Sequence, residues 1–254
     1  VNDGSTKKNN LTFSKISHLK KIEVLNLKNN VKAQIAIGTG LGFLKKEKFK
    51  GGIIAMDADG QDDPKYLVDI IDESKKNLER TITINRTRRE DKLKFKIFYQ
   101  IYLFLSFFLT FKYMKFGIYS YLHSSSLEKI LSTNDIYFAY AASLSKHFKN
   151  KNIIFAPRKK RLVGESQNNY KSLTLYALKI ISVFRNQVLV NSIALVFISF
   201  LLSKFLISSF FFLFVLLALL FFNVVIFLIA NQINKSHMIK DTLKNIKNIK
   251  NIKN

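Results

Sequence analysis

Residues 51–64 read GGIIAMDADGQDDP, and the fold has to be built around this stretch. The uninterrupted apolar run from Ile53 to Met56 predicts a buried strand of a parallel sheet, covered on both faces. Asp57 and Asp59 follow two positions apart, so an extended backbone carries both carboxylates on the same side. Gln61 repeats the spacing once more. The stretch therefore predicts a row of oxygen atoms at the end of a strand.

The residues that follow predict a helix. Asp63 before Pro64 is typical of an N-cap and a first-turn proline, so we expect a helix over residues 65–75. The oxygen ligands would then lie at the carboxyl end of a strand, where open α/β sheets bind ligands. Hard cations such as Mg²⁺ and Mn²⁺ prefer oxygen ligands and commonly bring substrate phosphates with them. The spacing alone also suits an ordinary acidic loop, so the surrounding motifs decide between the two interpretations.

Composition narrows the classes of function. The chain has 254 residues, enough for one large domain or for a domain with an appendage. It has no cysteine, which excludes disulfides, cysteine-ligated zinc and thiol nucleophiles. The formal charge of +24 suits nucleic acid or an anionic membrane surface, although a lysine-rich composition of the kind found in AT-rich genomes explains part of it. The sequence carries no signature of a nucleic-acid-binding fold, so we do not expect nucleic acid as a partner.

The C-terminal third is strongly apolar. Between Val188 and Ala230 the only charged residue is Lys204, which leaves room for two membrane spans of about 20 residues each. We expect them at residues 187–205 and 210–230; the alternative is one tilted helix over residues 205–230. Lysines are dense on both sides of this region, which predicts that both ends face the cytoplasm.

Two further stretches are expected to contact the bilayer. The aromatic-rich residues 95–116 predict either an interfacial helix with snorkelling lysines or a plain core helix. Residues 171–186 are interpreted as a juxtamembrane amphipathic helix. The tail at residues 231–254 is basic and of low complexity. From Lys244 it repeats Asn-Ile-Lys, and we expect that part to be disordered or loosely held on anionic lipid.

The remaining residues 1–170 would form one folded domain. Its predicted elements include short strands at residues 22–27 and 152–156 and a helix at residues 127–131.

Several motifs together resemble a known family. MDADGQDDP resembles the D-A-D-x-Q-D-D-P segment of inverting GT-A-fold glycosyltransferases, of the dolichyl-phosphate mannosyltransferase and undecaprenyl-phosphate sugar transferase type. Residues 1–6, VNDGST, resemble the family's V-D-D-G-S-T, with Asn2 in place of an aspartate. Residues 30–41 resemble its N-x-G-x-x-x-A-x-x-x-G-L helix, with Lys32 in place of a glycine. The resemblance runs from Val1 to about Ala230.

Two basic motifs extend the resemblance. Residues 86–91 follow a predicted strand at residues 81–85 and resemble the family's R-x-x-R-x-D segment. Residues 158–170 resemble its R-x-x-G-x-S-K-Y pattern, with Gln167 where lysine is common. Guanidinium groups can hold phosphate oxygens bidentately. The competing interpretations are a solvated basic loop for the first motif and a run that binds anionic lipid for the second.

The resemblance implies a fold and an activity. The fold would be α/β, a GT-A (Rossmann-like) domain lacking its first strand and helix, followed by a C-terminal transmembrane helical hairpin. The activity would be inverting transfer of a sugar from a UDP- or GDP-sugar to a polyprenyl phosphate, for cell-envelope glycan or glycoconjugate synthesis. The enzyme would be a multi-pass protein of the cell inner membrane with a cytoplasmic catalytic domain, and the resemblance leaves room for homo-oligomers.

The resemblance also implies roles for individual residues. Asp59 would be the main ligand of Mg²⁺ or Mn²⁺, helped by Gln61 and by Asp57, which would also reach the ribose. Asp3 would bind the base. The acceptor phosphate would be held by three further side chains, Arg89, Arg161 and Ser166. Two rival hypotheses remain open: a glycosyltransferase with a polysaccharide acceptor, and a non-catalytic membrane-bound remnant.

Overall fold

The computed structural model describes residues 1–5, 19–87, 93–112, 114–161, 169–205, 208–234 and 241–252. The strands in these residues are β1 (Ile22–Leu27), β2 (Gly52–Ala55), β3 (Ile82–Arg86), β4 (Phe116–His123), β5 (Asn152–Ala156) and β6 (Ile246–Ile252). The helices are α1 (Ala33–Lys46), α2 (Tyr66–Lys76), α3 (Leu93–Thr110), α4 (Leu127–Leu131), α5 (Asp135–Phe138), α6 (Tyr140–His147), α7 (Tyr170–Ser182), α8 (Arg185–Ser203) and α9 (Ser209–Asn234). The protein is thus α/β, with a mixed sheet and two long apolar helices near its C-terminal end.

The larger sheet has the strand order β2-β4-β3-β5. Strand β4 is antiparallel to both β2 and β3, whereas β3 and β5 are parallel. Strands β2, β3 and β5 therefore run in the same direction, and their carboxyl ends lie at one edge of the sheet. The prediction of a parallel strand at residues 53–56 is right about this direction but wrong about the neighbour, because the ladder partner of β2 is antiparallel β4.

Strand β4 was not predicted. The aromatic run was expected to remain helical to Phe116, but α3 ends at Thr110 and Phe111 adopts a left-handed φ of 51°. The chain then turns back as β4, whose Tyr119 and Tyr121 are buried and donate hydrogen bonds to the carbonyl oxygens of Asp63 and Leu78. The hydroxyl bonds hold β4 against the segments on either side of α2.

Both faces of the larger sheet are covered. Because successive side chains of a strand point to opposite faces, Ile53 packs with α1 and the α4–α6 helices, whereas Ile54 packs with residues of α2. The first cluster holds the buried Leu41, Ile53, Leu122, Leu127, Ile130, Ile136, Tyr140 and Leu144. The second holds Ile70, Ile82, Ile84, Tyr119, Tyr121 and Ala156. The sheet is thus the middle of three layers, and this fixes the loops at its carboxyl edge.

A second, two-stranded sheet pairs β1 with β6 in antiparallel register. The expectation that the C-terminal tail is disordered is therefore wrong for residues 246–252. Asn2 bridges Asn26 in parallel, and asparagine side chains join the three segments: Asn2 Nδ2 donates to Asn26 Oδ1 at 2.9 Å, and Asn26 Nδ2 donates to Asn248 Oδ1 at 2.8 Å. Pairing with the edge of β1, together with these asparagine hydrogen bonds, makes a strand of a tail whose sequence shows no strand pattern.

The apolar C-terminal region forms two helices long and apolar enough to cross a membrane, Arg185–Ser203 and Ser209–Gln232. They pack against each other, and Asn223 Nδ2 on α9 donates to Ser192 Oγ on α8 at 2.9 Å. Asn191 Nδ2 on α8 donates to the Leu109 carbonyl at 2.9 Å, which ties the pair to α3. The predicted bounds of 187–205 and 210–230 are close to the observed ones.

Candidate active site at the carboxyl edge of the sheet

The loop that leaves β2 is organised by its own carboxylates. We call residues 57–63 the acidic loop. Asp62 Oδ2 accepts from the Asp57 amide at 2.9 Å, and Asp59 Oδ1 accepts from the Gln61 amide at 3.0 Å. Gly60 takes a left-handed φ of 80°, a backbone conformation that costs glycine little. These contacts hold the carboxylates of the loop close together.

The helix after the loop begins slightly later than predicted. Asp63 was expected to be the N-cap, but α2 begins at Tyr66 and Lys65 stands at the N-cap. The Asp63 carboxylate instead accepts from the Lys65 amide at 3.2 Å, and the Asp63 carbonyl accepts from the Tyr66 amide at 3.2 Å. Asp63 and Pro64 therefore form the turn that leads into the helix.

Basic residues from β5 meet the acidic loop. We call residues 158–161, which follow β5, the cationic strap. The Lys159 amide donates to the Gln61 carbonyl at 3.0 Å, so the two segments are also joined through their backbones. The side-chain contacts between them are Arg161 Nη2 to Asp59 Oδ2 at 2.9 Å, Lys159 Nζ to Asp63 Oδ2 at 2.9 Å, Arg158 Nη2 to Gln61 Oε1 at 2.6 Å and Arg158 Nη2 to Asp57 Oδ2 at 4.0 Å.

A further cation comes from β3. Arg86 is the last residue of that strand, and its Nη2 lies 3.9 Å from Asp62 Oδ1. Carboxylates after β2 thus meet guanidinium groups from the ends of β3 and β5 at one edge of the sheet. The arrangement follows from the shared direction of these strands, because their carboxyl ends must lie at the same edge.

The proton affinities of the loop reflect this environment. Burial raises the pKa of Asp57, the neighbouring Asp62 and Asp59 carboxylates raise it further, and Arg86 and Arg158 oppose the change. The hydrogen bond from Lys159 instead holds the pKa of Asp63 below its ordinary value. An added cation would therefore offset the repulsion that Asp57 receives from the neighbouring carboxylates.

The side chains of the acidic loop supply only part of the coordination that a hard divalent cation needs. Among the described residues, no group of three or more His, Cys, Asp or Glu side chains is placed to hold one metal ion. Asp57, Asp59 and Gln61 nevertheless offer the oxygen donors that Mg²⁺ and Mn²⁺ prefer, and repulsion between the carboxylates would be relieved by positive charge. A metal ion here would take its remaining ligands from water and from a phosphate-bearing substrate.

The structure brings some of the predicted site residues together and places one of them elsewhere. Asp57, Asp59, Gln61 and Arg161 are brought together as described. Asp3 instead lies beside the turn from β1 to α1, where its Oδ1 accepts from the Val31 amide at 2.7 Å. Two predicted acceptor-phosphate residues, Arg89 and Ser166, lie outside the described residues.

Two arginines of the site were not among the expected site residues. Arg86 begins the motif at residues 86–91, and Arg158 comes two positions after the predicted strand at residues 152–156, which is the signal that could have identified them. Burial raises the pKa of Tyr176 on α7 to about 12, with Arg86 opposing the change and Asp57 adding to it.

The absence of a side chain at Gly117 leaves space for the Arg86 guanidinium. A Cβ at this position of β4 would meet the Arg86 guanidinium, with Cζ only 2.8 Å away. We expect Gly117→Ala to move Arg86 away from Asp62 at little cost in stability, because the end of an arginine side chain can shift. For the nucleotide-sugar donor that the resemblance implies, the affinity for the nucleotide diphosphate, measured by calorimetry, should weaken about tenfold while the melting temperature stays nearly unchanged. A large loss of stability with unchanged nucleotide affinity would show that Gly117 serves the sheet rather than Arg86.

Comparison with known proteins gave no match, either to a family model or to a curated protein.

Proposed function

We propose that this protein is a membrane-anchored glycosyltransferase with a GT-A-type domain, which moves a sugar from a nucleotide-sugar to a polyprenyl phosphate with inversion. The observation that carries the proposal is the contact of carboxylates with guanidinium groups at the carboxyl edge of β2, β3 and β5. Such an edge suits a ligand that contains both phosphates and a metal ion.

The donor would be a UDP- or GDP-sugar. Asp57 and Asp59, with Gln61, would hold Mg²⁺ or Mn²⁺, which would offset the charge that develops on the leaving diphosphate. Arg86 lies beside Asp62 of the same loop, where it can pair with phosphate oxygens. Asp57 would also reach the ribose, and Asp3, beside the β1–α1 turn, would bind the base.

The acceptor would be the phosphate of a polyprenyl lipid, held by Arg161 together with Arg89 and Ser166. A phosphate monoester has a second pKa near about 6, so its oxygen is already largely ionised at neutral pH. The attacking group therefore needs positioning and charge compensation more than it needs a strong general base. A guanidinium supplies both, because its donors form a planar fork.

The surface next to the site suits contact with lipid. Helix α3 packs against α7 and α8 and leaves an apolar row uncovered. The exposed members of that row are Ile97, Ile101, Phe104, Leu105, Phe107, Phe108 and Phe111. With Lys96 and Lys112 near its ends, α3 would lie along the headgroup layer, where lysines also meet anionic lipid. A lipid acceptor would then arrive beside α7, against which α3 packs.

The direction of the apolar helices gives a topological prediction. Helices α8 and α9 pack as a hairpin between basic flanks, so both outer ends should lie in the cytoplasm. We expect a reporter after Asn254 to give a cytoplasmic signal, and one inserted at Ser208, between the helices, to give the signal of the opposite side. Reporters at the two positions that agree with each other would rule out a spanning hairpin.

The function itself is tested by transfer of radiolabelled sugar in detergent. The full chain with any natural upstream residues is supplied with UDP- and GDP-sugars and a polyprenyl phosphate, in Mg²⁺ or Mn²⁺. Product that depends on the metal and the lipid supports the proposal. Transfer to a glycan in the absence of lipid would instead favour a polysaccharide acceptor, and failure to bind any nucleotide-sugar would favour a non-catalytic remnant.

A further inference from the structure

Arginine side chains of the cationic strap contact the same oxygen atoms of the acidic loop that the proposed metal ion would need as ligands. Gln61 Oε1 receives Arg158 Nη2 at 2.6 Å, and Asp59 Oδ2 receives Arg161 Nη2 at 2.9 Å. These are two of the three side chains expected to bind a dication. A metal ion needs its ligand oxygens within about 2.0–2.6 Å, and it repels a guanidinium that shares them.

The contacts of the strap are of a kind that can be exchanged. Arg158 lies at the outer limit of an ion pair with Asp57, at 4.0 Å, and it makes a close contact with the neutral Gln61. The Arg161 side chain is 34% exposed, and partly solvated ion pairs of this kind contribute little to stability. The backbone bond from the Lys159 amide to the Gln61 carbonyl can keep the strap beside the loop while the side chains move.

We propose that Arg158 and Arg161 exchange partners when the donor binds: both leave the acidic loop, Arg158 for the diphosphate of the donor and Arg161 for the acceptor phosphate. The inference rests on the proposed function for its substrate class. Asp57, Asp59 and Gln61 are then left to the metal ion. Without donor, the strap neutralises the loop and keeps free metal ions out.

Charge and geometry favour this exchange. Metal and diphosphate arrive together, so the loop gains positive charge at the moment when the strap gains an anion to bind. Arg158 emerges from β5, whose carboxyl end lies beside that of β3 and Arg86, so two guanidinium groups flank the position of a diphosphate. Bidentate pairs with phosphate oxygens are stronger than a contact with an amide oxygen.

The test measures two affinities that should change in opposite directions. Mn²⁺ binding is measured by electron paramagnetic resonance, first with Mn²⁺ alone and then with Mn²⁺ and UDP or GDP. In Arg158→Gln we expect Mn²⁺ alone to bind about tenfold more tightly, because a competing charge is gone. We expect the Mn²⁺–nucleotide complex to bind about 10–100-fold more weakly, because a charged hydrogen-bond donor is lost.

Two further variants complete the experiment. Arg161→Gln should also tighten Mn²⁺ alone but leave the Mn²⁺–nucleotide affinity nearly unchanged. Arg80→Gln is the matched control, since Arg80 contacts Asn152 at the far end of β3 and β5, and it should change neither affinity. Damage to the fold would weaken both affinities in a variant, so it cannot imitate the expected result.

Each outcome decides one claim. Unchanged or weaker binding of Mn²⁺ alone in Arg158→Gln overturns the exchange, even if the unaltered protein transfers sugar. If the unaltered protein binds no Mn²⁺–nucleotide complex, the proposed function fails together with the exchange. If the opposite shifts are found but polyprenyl phosphate is not used, Arg158 keeps its role at the donor and only the acceptor is wrong.

Discussion

Replacing Asp59 with alanine should lower the turnover of sugar transfer about 10³-fold, the size of effect seen when a strong electrostatic stabiliser is removed. Asp59 is the expected main metal ligand, and its carboxylate is the one that Arg161 contacts in the described part of the chain. The measurement is the rate of sugar transfer at saturating donor and acceptor, with the full chain in detergent.

Two companion variants separate charge from structure. Asp59→Asn retains an oxygen that can accept from the Gln61 amide, so it should keep the loop intact and still lose most of the activity. Asp72→Ala removes an exposed carboxylate on α2 that pairs only with Lys75 in the described contacts, and it should have almost no effect. Full activity in EDTA, or in Asp59→Ala, would remove the metal ion from the mechanism.

Replacing Arg161 with alanine should weaken the use of polyprenyl phosphate about 10–100-fold while nucleotide-sugar affinity changes little. The loss corresponds to a charge-assisted hydrogen bond to an anion, which contributes about 1.5–3 kcal/mol. Arg161 lies within reach of the acidic loop and shortly before α7, which leads into the apolar hairpin. The measurement is the KM for polyprenyl phosphate, with donor affinity determined separately by calorimetry.

The conservative variant distinguishes bidentate pairing by a guanidinium from attraction to a positive charge alone. Arg161→Lys should recover only part of the loss, because an ammonium keeps the charge but cannot pair bidentately. Arg80→Ala serves again as the control at the opposite end of the strands. Equal losses of donor and acceptor binding in Arg161→Ala would assign Arg161 to the donor or to the fold.

The sequence predicts the bounds of a strand or helix well where the segment shows one clear pattern of apolar residues. The strands at Ile22–Leu27 and Asn152–Ala156 and the helix at Leu127–Leu131 have the predicted bounds. Each is a short run whose apolar pattern and flanking residues agree. Strand β4 was missed because its aromatic residues continue those of α3, so the pattern alone does not show the break that a positive φ at Phe111 makes.

Long-range pairing explains the other differences. The Asn-Ile-Lys repeat has a period of three, which matches neither a strand nor a helix, so only the edge of β1 makes residues 246–252 a strand. Asp57, Asp59, Gln61 and Arg161 could be selected from their motifs. The contacts of Arg86 and Arg158 with the acidic loop could not be predicted from the sequence, because they depend on how the strands are arranged in the sheet. The Asp3 side chain bonds the Val31 amide, a contact that spacing along the chain does not indicate.

Pairing of β6 with β1 has a mechanical consequence for the apolar hairpin of α8 and α9. The chain leaves the α/β domain through α7, runs through α8 and α9, and contacts the domain again from residue 242, where the turn before β6 packs against α1. A hairpin attached to a domain at two separate points has less freedom to swing or twist than one attached at a single point. In the proposed membrane-anchored enzyme, the hairpin would therefore hold the carboxyl edge of the sheet at a set height and orientation above the lipid headgroups.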